Sequence, residues 1–583
     1  LKANTTASNN TAVGYQAGLN VTTGTLNTLV GSGAGGTATM TGSENNLLGY
    51  IAGRNITSGQ YNTGIGSYSI NSLTTGGGNI AMGRSSLGST TTGDNNVAVG
   101  YDALQANTTA PENVAIGYQA MYENTTGTLN TAVGTYALQN NIANNNSAFG
   151  HQSLFNNTTG ASNTAMGYLT LNTNVIGINN SAFGHYALYA NTTSNNSGFG
   201  YKALRFNTTG AYNVAVGSSA LVSNTIGSKN SAVGFGALFN NTIGSNNSAF
   251  GYNSLNNNTT GIQNTAIGSE ALLNNTTGIQ NTAIGTQALR ANTVGIYNTA
   301  VGYQSLVNQT TGRGNSALGF RSLQNNIIGV ANSAFGYYAL KSNTTASSNS
   351  AFGKSALQSN TFGDENTAVG LQSLLYNTTG SRNSAFGVNA LAYNTIGTSN
   401  SAFGRQALYS NTTGASNNAF GYYALRLNTT GGNNSAFGFQ SLRNNTIGTN
   451  NSAFGKDALK YNTIGASNSG FGYRALYNNT TGINNAAFGL NSLLSNTTGA
   501  NNVAVGTSAL SANTIGTHNV AVGFNALSSN TTGGLNTALG GNSLYSNTIG
   551  IYSVAVGYSA LYSNTTGNYN NAFGFYALRN NTG

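Results

Sequence analysis

The stretch GYYALRLNTTGGNNSAF, which runs from Gly421 to Phe437, is one copy of a 17-residue phrase that fills most of the 583-residue chain. We number the phrase so that position 17 is the glycine after each Ser-Ala-Phe or Val-Ala-Val triplet. This glycine recurs every 17 residues from Gly200 to Gly574. A fixed short period indicates one structural unit stacked on itself. We therefore expect any function to lie on a long surface and not in a pocket.

The phrase extends over the whole chain, which predicts a single continuous repeat array, 1–583, of about 34 coils. Copies in 1–100 are more degenerate, and copies in 101–583 are regular. The first and last copies are incomplete, and we expect no cap, signal peptide or anchor within this array. The apolar residues keep a strict phase, which argues against disorder because a disordered segment needs no phase.

Composition argues against several classes of protein. Charged residues make up 5% of the chain, there is no Cys, and the formal net charge of +10 includes no basic run. Disulfides and thiolate metal sites are therefore excluded, and nucleic-acid binding gains no support. No apolar stretch reaches the length of about 18 residues that a membrane-spanning helix needs.

The residue types at each position indicate an all-β fold. Position 15 is nearly always Ala, position 16 is always apolar and position 4 is usually Leu, whereas charged residues fall mainly at positions 1, 2, 5, 6, 11 and 12. Charged side chains are rarely buried without partners, so these six positions should face solvent. Seventeen residues are too few for a helical-hairpin repeat. We predict a parallel β-solenoid, or β-roll, with extended segments at positions 13–17 and 1–5 and an Asn-Thr-Thr-Gly turn between them.

Stacking such coils places identical residues above one another, so positions 7 and 13 become columns of asparagine. Amide columns of this kind hydrogen-bond along the stack and satisfy polar groups in turns, although they could instead form a ligand surface. We favour the structural role because each column runs the whole length of the array. Members are Asn207, Asn224, Asn241 and Asn258 at position 7, and Asn213, Asn230, Asn247 and Asn264 at position 13.

Adjacent apolar residues suggest that the chain associates with itself. Positions 15 and 16 are both apolar, as are positions 3 and 4 in many copies, and neighbouring strand residues face opposite sides. One member of each pair would fill the coil, and the other would need a cover that a second or third chain could supply. A sharp bend between the two residues is the alternative. The candidate core and interface residues are Ala249, Phe250, Leu255, Ala266, Ile267 and Leu272.

The segment from Asn213 to Leu221 carries Asn-Val-Ala-Val-Gly followed by Ala-Leu at positions 3 and 4. This phrase resembles the head repeats of YadA-like trimeric autotransporter adhesins, whose shorter phrase Ser-Val-Ala-Ile-Gly-x-x-Ala-x-Ala-x-Gly forms a trimeric left-handed β-roll. The present phrase has about three extra residues in the turn. Long Asn-rich arrays also look like the shafts of bacterial surface proteins and phage tail fibres. Both resemblances imply an extracellular, trimeric fibre that holds or presents an adhesive tip.

The sequence contains no recurring catalytic or metal-binding pattern. His151, His185 and His518 lie at outward positions of distant coils without Cys or clustered acids beside them, whereas a metal site needs converging ligands. The acidic pair Asp364 and Glu365 is interpreted as a solvated turn. We therefore predict a protein that is not an enzyme and has no catalytic residues, metal sites or cofactors.

Two regular surfaces are candidates for ligand contact. Aromatic residues at position 1 form an intermittent stripe that could contact carbohydrate or protein, or could be a partly covered structural stripe. Thr residues at positions 8 and 9 would form paired columns, as an ice-binding surface requires, but position 9 is often Ile. The Asn-Thr-Thr sequence is also a formal glycosylation sequon, as at Asn207 and Asn377. The aromatic stripe includes Tyr201, Tyr252, Tyr303, Tyr337 and Tyr422.

These features predict a structural protein that forms an extracellular filament or adhesin stalk extending from a cell or particle surface. The alternatives are a phage tail-fibre shaft and, from a different class, an ice- or carbohydrate-binding surface. We expect self-association, as a homotrimer and end to end into a filament, together with contacts to host cells, surfaces or glycans. Nucleic acid is not an expected partner.

Overall fold

The computed structural model describes residues 1–582, and their contacts divide the chain into two compact units, Leu1–Val294 and a second unit that begins at Gly295. Each unit contains 17 strands of three residues. The strands of the first unit are β1 (Thr11–Val13), β2 (Thr28–Val30), β3 (Asn46–Leu48), β4 (Thr63–Ile65), β5 (Ile80–Met82), β6 (Val97–Val99), β7 (Val114–Ile116), β8 (Thr131–Val133), β9 (Ser147–Phe149), β10 (Thr164–Met166), β11 (Ser181–Phe183), β12 (Ser197–Phe199), β13 (Val214–Val216), β14 (Ser231–Val233), β15 (Ser248–Phe250), β16 (Thr265–Ile267) and β17 (Thr282–Ile284).

The strands of the second unit occupy the same positions of the phrase. They are β18 (Thr299–Val301), β19 (Ser316–Leu318), β20 (Ser333–Phe335), β21 (Ser350–Phe352), β22 (Thr367–Val369), β23 (Ser384–Phe386), β24 (Ser401–Phe403), β25 (Asn418–Phe420), β26 (Ser435–Phe437), β27 (Ser452–Phe454), β28 (Ser469–Phe471), β29 (Ala486–Phe488), β30 (Val503–Val505), β31 (Val520–Val522), β32 (Thr537–Leu539), β33 (Val554–Val556) and β34 (Asn571–Phe573).

Within each unit, every strand pairs in parallel with the next strand along the chain. The register places equivalent residues opposite one another, as in the pairs Ser435–Ser452 and Phe437–Phe454. The N–H of Ser435 donates to the carbonyl of Asn451 in the next coil at 2.8 Å, and the N–H of Gly438 donates to the carbonyl of Phe420 in the preceding coil at 2.8 Å. The predicted all-β parallel β-solenoid, with about 17 residues per turn, is confirmed.

The prediction of a second extended segment at positions 1–5 is wrong. Only positions 14–16 form a strand, and positions 2 and 4 have left-handed backbones, with φ of 61° at Tyr423 and 49° at Leu425. This conformation costs a non-glycine residue roughly 1–2 kcal/mol. Burial and a hydrogen bond compensate for that cost. The side chain of Leu425 is fully buried, and the backbone N–H of Leu425 donates to the carbonyl of Ser441 in the next coil at 3.0 Å.

The core of each coil is small and apolar. Ala436 at position 15 and Leu425 at position 4 are 0% exposed, and so are their equivalents in nearly every regular coil. Burying these side chains supplies the hydrophobic stabilisation that each coil gains from stacking on its neighbours. The narrow interior explains why position 15 admits only small residues in the regular copies, such as Ala453 and Gly470.

The glycine at position 17 is required where the chain leaves the strand. Gly438 has φ of 131°, and a Cβ atom there would lie 2.6 Å from the carbonyl oxygen of Gly455 in the next coil. Both the backbone angle and the close approach exclude a side chain.

Across residues 1–582 the structure also contains no helix with the length and apolar character needed to cross a bilayer.

Candidate functional site

The outer face of the strands carries a continuous apolar column at position 16. Within each strand, position 15 points into the coil and position 16 points away from it, which gives Ala351 an exposure of 0% and Phe352 an exposure of 41%. Position 16 is Val, Leu, Ile, Met or Phe in all 34 copies, although it faces solvent in each unit. An apolar residue at every position of an outward-facing column is unusual for a surface that meets only water.

Seven consecutive coils of the second unit carry phenylalanine at this position. Successive rings stack with centroids 4.6–5.0 Å apart and interplanar angles of 4–14°. We call this column the phenylalanine ladder, and it consists of Phe386, Phe403, Phe420, Phe437, Phe454, Phe471 and Phe488. Its signal in the sequence is the run of seven Phe-Gly pairs from Phe386 to Gly489, each preceded by Ala except at Gly470, and the expectations above did not single it out.

Position 9 provides an internal comparison for this column. It is also exposed, with Ile447 at 53% and Ile515 at 52%, but other coils carry Thr there, as at Thr430. A surface position that only faces water tolerates both residue types. Position 16 does not alternate in this way, so its apolar character reflects a requirement that position 9 lacks.

The two apolar pairs of the phrase have different structures. At positions 15 and 16 one residue is inside and one outside, as expected for a strand. At positions 3 and 4 both residues point inward, because the left-handed backbone at position 4 provides the sharp bend considered as the alternative. Among the candidate core and interface residues, Ala249, Leu255, Ala266 and Leu272 are 0% exposed, whereas Phe250 is 40% and Ile267 is 41% exposed.

The asparagine at position 7 forms a hydrogen-bonded column inside each unit. The Nδ2 of Asn428 donates to Oδ1 of Asn411 in the preceding coil at 2.8 Å and to the carbonyl of Gly431 in its own turn at 2.9 Å. Its Oδ1 accepts from Asn445 in the following coil at 2.8 Å. In the regular coils, each amide therefore bonds to both neighbouring coils and also closes its own turn. The column is interrupted in the first unit at Asn107, Asn124 and Asn174, whose buried Oδ1 atoms accept no hydrogen bond.

The asparagine at position 13 forms a second column. Oδ1 of Asn417 accepts from the backbone N–H of Asn434 at 3.0 Å and from its Nδ2 at 3.1 Å. The same Nδ2 donates to the carbonyl of Gly448 at 2.8 Å. The structure places all eight representative residues in these columns at 0% exposure, and they are Asn207, Asn224, Asn241, Asn258, Asn213, Asn230, Asn247 and Asn264.

The variant Asn428→Asp should destabilise the second unit in a pH-dependent way. An ionised carboxylate would face the oxygens of Asn411 and Gly431 without a donor, and burial would raise its pKa above the usual value of about 3.9. The folded state then binds the proton more tightly than the unfolded state, so stability falls as pH rises above about 4. We expect a loss of about 3 kcal/mol at pH 8, about the cost of an unpaired buried charge. Below pH 4 the loss should fall to about 1 kcal/mol, because the protonated carboxyl donates one hydrogen bond where the amide donates two.

Thermal unfolding at both pH values, compared with the wild type at each, measures this effect. The control is Asn433→Asp, because Asn433 is exposed at position 12 of the same coil. Equal midpoints for the two variants at pH 8 would contradict a structural role for the column.

Burial also bears on the sequon and on the threonine columns. Asn207 and Asn377 are 0% exposed, and Nδ2 of Asn207, the atom to which a glycan would attach, donates to Asn191 Oδ1 at 2.7 Å. The folded coil therefore does not present this atom for glycosylation. At position 8 the Oγ1 of Thr208 donates to the carbonyl of Thr225 at 3.0 Å. Because this hydroxyl is occupied within the protein, a paired-threonine ice-binding surface loses one of its two columns.

The tyrosine stripe at position 1 is exposed, and many of its rings stack along the coil axis. Tyr201, Tyr252, Tyr303, Tyr337 and Tyr422 are 36–53% exposed. Rings in successive coils lie nearly parallel, as for Tyr422 and Phe439, whose centroids are 5.5 Å apart at an interplanar angle of 5°. A neighbouring ring therefore covers much of one face of each stacked ring, and its edge and hydroxyl are the parts most available to a ligand.

Two of the three histidines stack on a ring of the tyrosine stripe, and the third lies at a different position of its coil. The rings of His151 and His185 stack on Tyr168 at centroid distances of 5.3 and 4.9 Å. His518 lies 3.2 Å from the amide nitrogen of Asn501. The acidic pair is solvent-exposed, and Glu365 lies 3.5 Å from Arg382. Within residues 1–582, no group of three or more His, Asp or Glu side chains is arranged to hold a metal ion.

Two depressions on the surface differ in their linings. One of about 430 Å³ in the first unit is lined by Tyr68, Arg84 and small polar residues. Another, of about 290 Å³, lies on the outer strand face and is lined by Val301, Leu318 and Phe335. The second depression belongs to the position-16 column, where side chains smaller than Phe335 leave a gap.

Charge is distributed unevenly between the two units, which the expectations from the sequence did not include. The second unit holds 12 of the 19 Lys and Arg residues but only 3 of the 9 Asp and Glu residues. Its formal net charge is therefore +9, against +1 for the first unit. Counting charges by position within each half of the sequence would have revealed this asymmetry.

Comparison with known proteins leaves the family open: no protein-family model matches the chain, and no curated protein sequence matches it.

Proposed function

We propose that this chain is a structural protein that assembles with copies of itself, as a homotrimer, into an extracellular filament or adhesin stalk. The observation that carries the proposal is the exposed apolar column at position 16, which is apolar in every copy of the phrase. The resemblance to trimeric adhesin repeats supports the trimer and the extracellular location.

The area of the column is sufficient for a permanent interface. Phe488 is 41% exposed, and the six other rings of the phenylalanine ladder are half-buried. At about 200 Å² for each phenylalanine side chain, the ladder presents at most about 500 Å². The ten other position-16 residues of the second unit can add about as much. The upper total of about 1,000 Å² per chain is comparable with the roughly 800 Å² per partner of a standard protein interface. At about 25 cal/mol/Å², this corresponds to at most about 25 kcal/mol of gross stabilisation, which ordering costs reduce.

The use of polar groups also fits a structural role better than an enzymatic one. The buried asparagines hydrogen-bond along the stack or within their own turns, as at Asn428 and Asn434. Such a column strengthens each coil only when its neighbours are present. Internal hydrogen bonds that recur from coil to coil and a regular exterior are what a structural shaft requires.

The test examines both assembly and location. The purified chain should sediment as a trimer, and electron micrographs should show thin filaments with an axial repeat of about 4.8 Å, the separation of neighbouring strands. Antibodies against the purified chain should label intact, unpermeabilised cells or particles that produce it. A stable monomer at micromolar concentration would overturn the assembly, and labelling that appears only after permeabilisation would overturn the extracellular location.

A further inference from the structure

The excess positive charge of the second unit lies on one side of its coils. Ten of its 12 Lys and Arg residues occupy positions 1, 2 or 5, and Asp457 is the one acidic residue at those positions. The other two cations, Arg313 and Arg382, lie at positions 11 and 12, as do the acids Asp364 and Glu365. Cations and acids are therefore mixed at positions 11 and 12, whereas positions 1, 2 and 5 carry cations with the single exception of Asp457.

The cations are densest in five consecutive coils, from β24 to β28. Neighbouring strands are about 4.8 Å apart, so a positive charge recurs at about that interval over roughly 20 Å. We call this surface the basic face, and its members are Arg405, Arg426, Arg443, Lys456, Lys460 and Arg474. The parallel register of these strands keeps the charges on one side of the stack.

Aromatic rings hold the cations of the basic face in place. The guanidinium of Arg426 lies 5.0 Å from the ring centroid of Tyr423, and that of Arg474 lies 5.1 Å from the centroids of both Tyr473 and Tyr477. Cation–π contacts of this kind position a charge without neutralising it. A ligand would therefore meet cations that are already ordered, which lowers the entropy cost of binding.

Most of these charges remain uncompensated by the protein. Within the described part of the chain, Lys460 is the one member of the basic face with a carboxylate at ion-pair distance, 3.2 Å from Asp457. The pKa of Tyr423 is lowered, first by its hydrogen bond with Tyr422 and then by the charges of Arg405, Arg426 and Arg443. A surface that assembles like charges and leaves them unpaired is electrostatically complementary to a polyanion.

We propose that the basic face binds a linear anionic polysaccharide through its carboxylate or sulfate groups. Regularly spaced cations in a narrow column match a single polymer chain with repeating anionic groups, and the edges and hydroxyls of the tyrosines add hydrogen-bonding groups. The inference rests on the proposed extracellular function, because such polymers are encountered at cell surfaces and in matrices.

The same geometry disfavours single-stranded nucleic acid. Proteins that bind it without sequence preference stack the bases on exposed aromatic faces. On the basic face, ring faces are occupied by cations, as at Tyr473, or by a neighbouring ring, as between Tyr422 and Phe439. Without free ring faces, a nucleic acid would be held by its phosphates alone.

The test compares binding of the full-length chain to four immobilised probes. These are heparin, which carries sulfate, polygalacturonate, which carries only carboxylate, neutral dextran, and a thymidine oligonucleotide. We expect binding to one or both anionic polysaccharides, weakening with added salt as exposed charge contacts are screened. Dextran should not bind, and the oligonucleotide should bind less tightly. Tighter binding to the oligonucleotide, or equal binding to dextran, would overturn the inference.

A pair of triple variants locates the site. R426Q, R443Q and R474Q together remove half of the basic face, and we expect the apparent Kd for the bound polysaccharide to rise about tenfold or more. The matched control removes three cations from the first unit, through R84Q, R205Q and R290Q. Both proteins should first show wild-type circular dichroism and thermal midpoints. Equal losses in the two variants would show that net charge alone is responsible and would overturn the assignment of the site.

The result of the polysaccharide-binding test can be distinguished from the result of the test of assembly and location. A trimeric, surface-labelled chain that binds neither polysaccharide would overturn only the basic face. A monomer that binds polysaccharide through these residues would overturn the assembly and leave the basic face in place.

Discussion

Replacing Ala419, Ala436 and Ala453 together by aspartate should unfold the coils that contain β25, β26 and β27. All three alanines are 0% exposed, and a buried unpaired charge costs several kcal/mol. The combined cost of three buried aspartates approaches the whole free energy of unfolding of a typical domain, about 5–15 kcal/mol. The damage should stay local, because each coil of a solenoid depends mainly on its neighbours.

Hydrogen exchange followed by mass spectrometry measures this result directly. Peptides from residues 402–471 should exchange rapidly in the variant, and peptides from distant coils should retain their protection. The control places the same three aspartates one residue later, at Phe420, Phe437 and Phe454, where side chains point outward. Retained protection in the alanine variant would mean that the interior tolerates charge, in contradiction to the inward direction of position 15.

Replacing Phe403, Phe420, Phe437 and Phe454 together by serine should dissociate the assembled chains without unfolding them. These half-buried residues form the centre of the phenylalanine ladder, and serine removes at most about 280 Å² of the exposed apolar area per chain, at about 70 Å² for each ring. At about 25 cal/mol/Å², the gross loss is about 7 kcal/mol per chain, which is large relative to typical binding free energies. Sedimentation velocity and native mass spectrometry should show monomers, with an unchanged circular dichroism spectrum.

The turn at position 9 supplies a matched control for that experiment. Ile396, Ile447, Ile464 and Ile515 are 49–53% exposed, and threonine occurs naturally at the same position in other coils. Changing these four residues to threonine removes exposed apolar area away from the strand face and should leave the oligomer intact. Dissociation by the isoleucine variant, or persistence of the oligomer in the serine variant, would contradict an interface at position 16.

Much of the fold was predictable because the repeat samples each position many times. Charged residues recur at the same few positions in many copies, which predicts that these positions face solvent. Position 12 is exposed, as at Asn433, but positions 2 and 5 are partly covered, and Asp457 at position 2 is only 5% exposed. The columns of Asn at positions 7 and 13 followed from stacking alone, since equal coils place equal residues above one another. The hydrogen bonds of Asn428 and Asn434 have the arrangement along the stack that this reasoning anticipated.

The surfaces proposed for binding were harder to predict. Strand alternation requires that one member of the Ala436–Phe437 pair be outside, but it does not specify which one. The basic face is also not visible as a run in the sequence, because Arg426 and Arg443 are 17 residues apart and become neighbours only when coils stack.

By itself, the sequence determined the solenoid, its 17-residue turn and the asparagine columns, because periodic identity leaves stacking as the one way to bury the apolar positions. Only the tertiary structure decided the path from position 1 to position 5. Local preference disfavours a left-handed leucine, yet Leu425 adopts φ of 49° because the turn buries its side chain and pairs its backbone with the next coil. The tertiary structure also decided that alanine faces inward and phenylalanine outward, since leucine at position 4 already fills the interior of a regular coil. Where position 15 is the larger Leu29 or Leu47, position 4 is glycine.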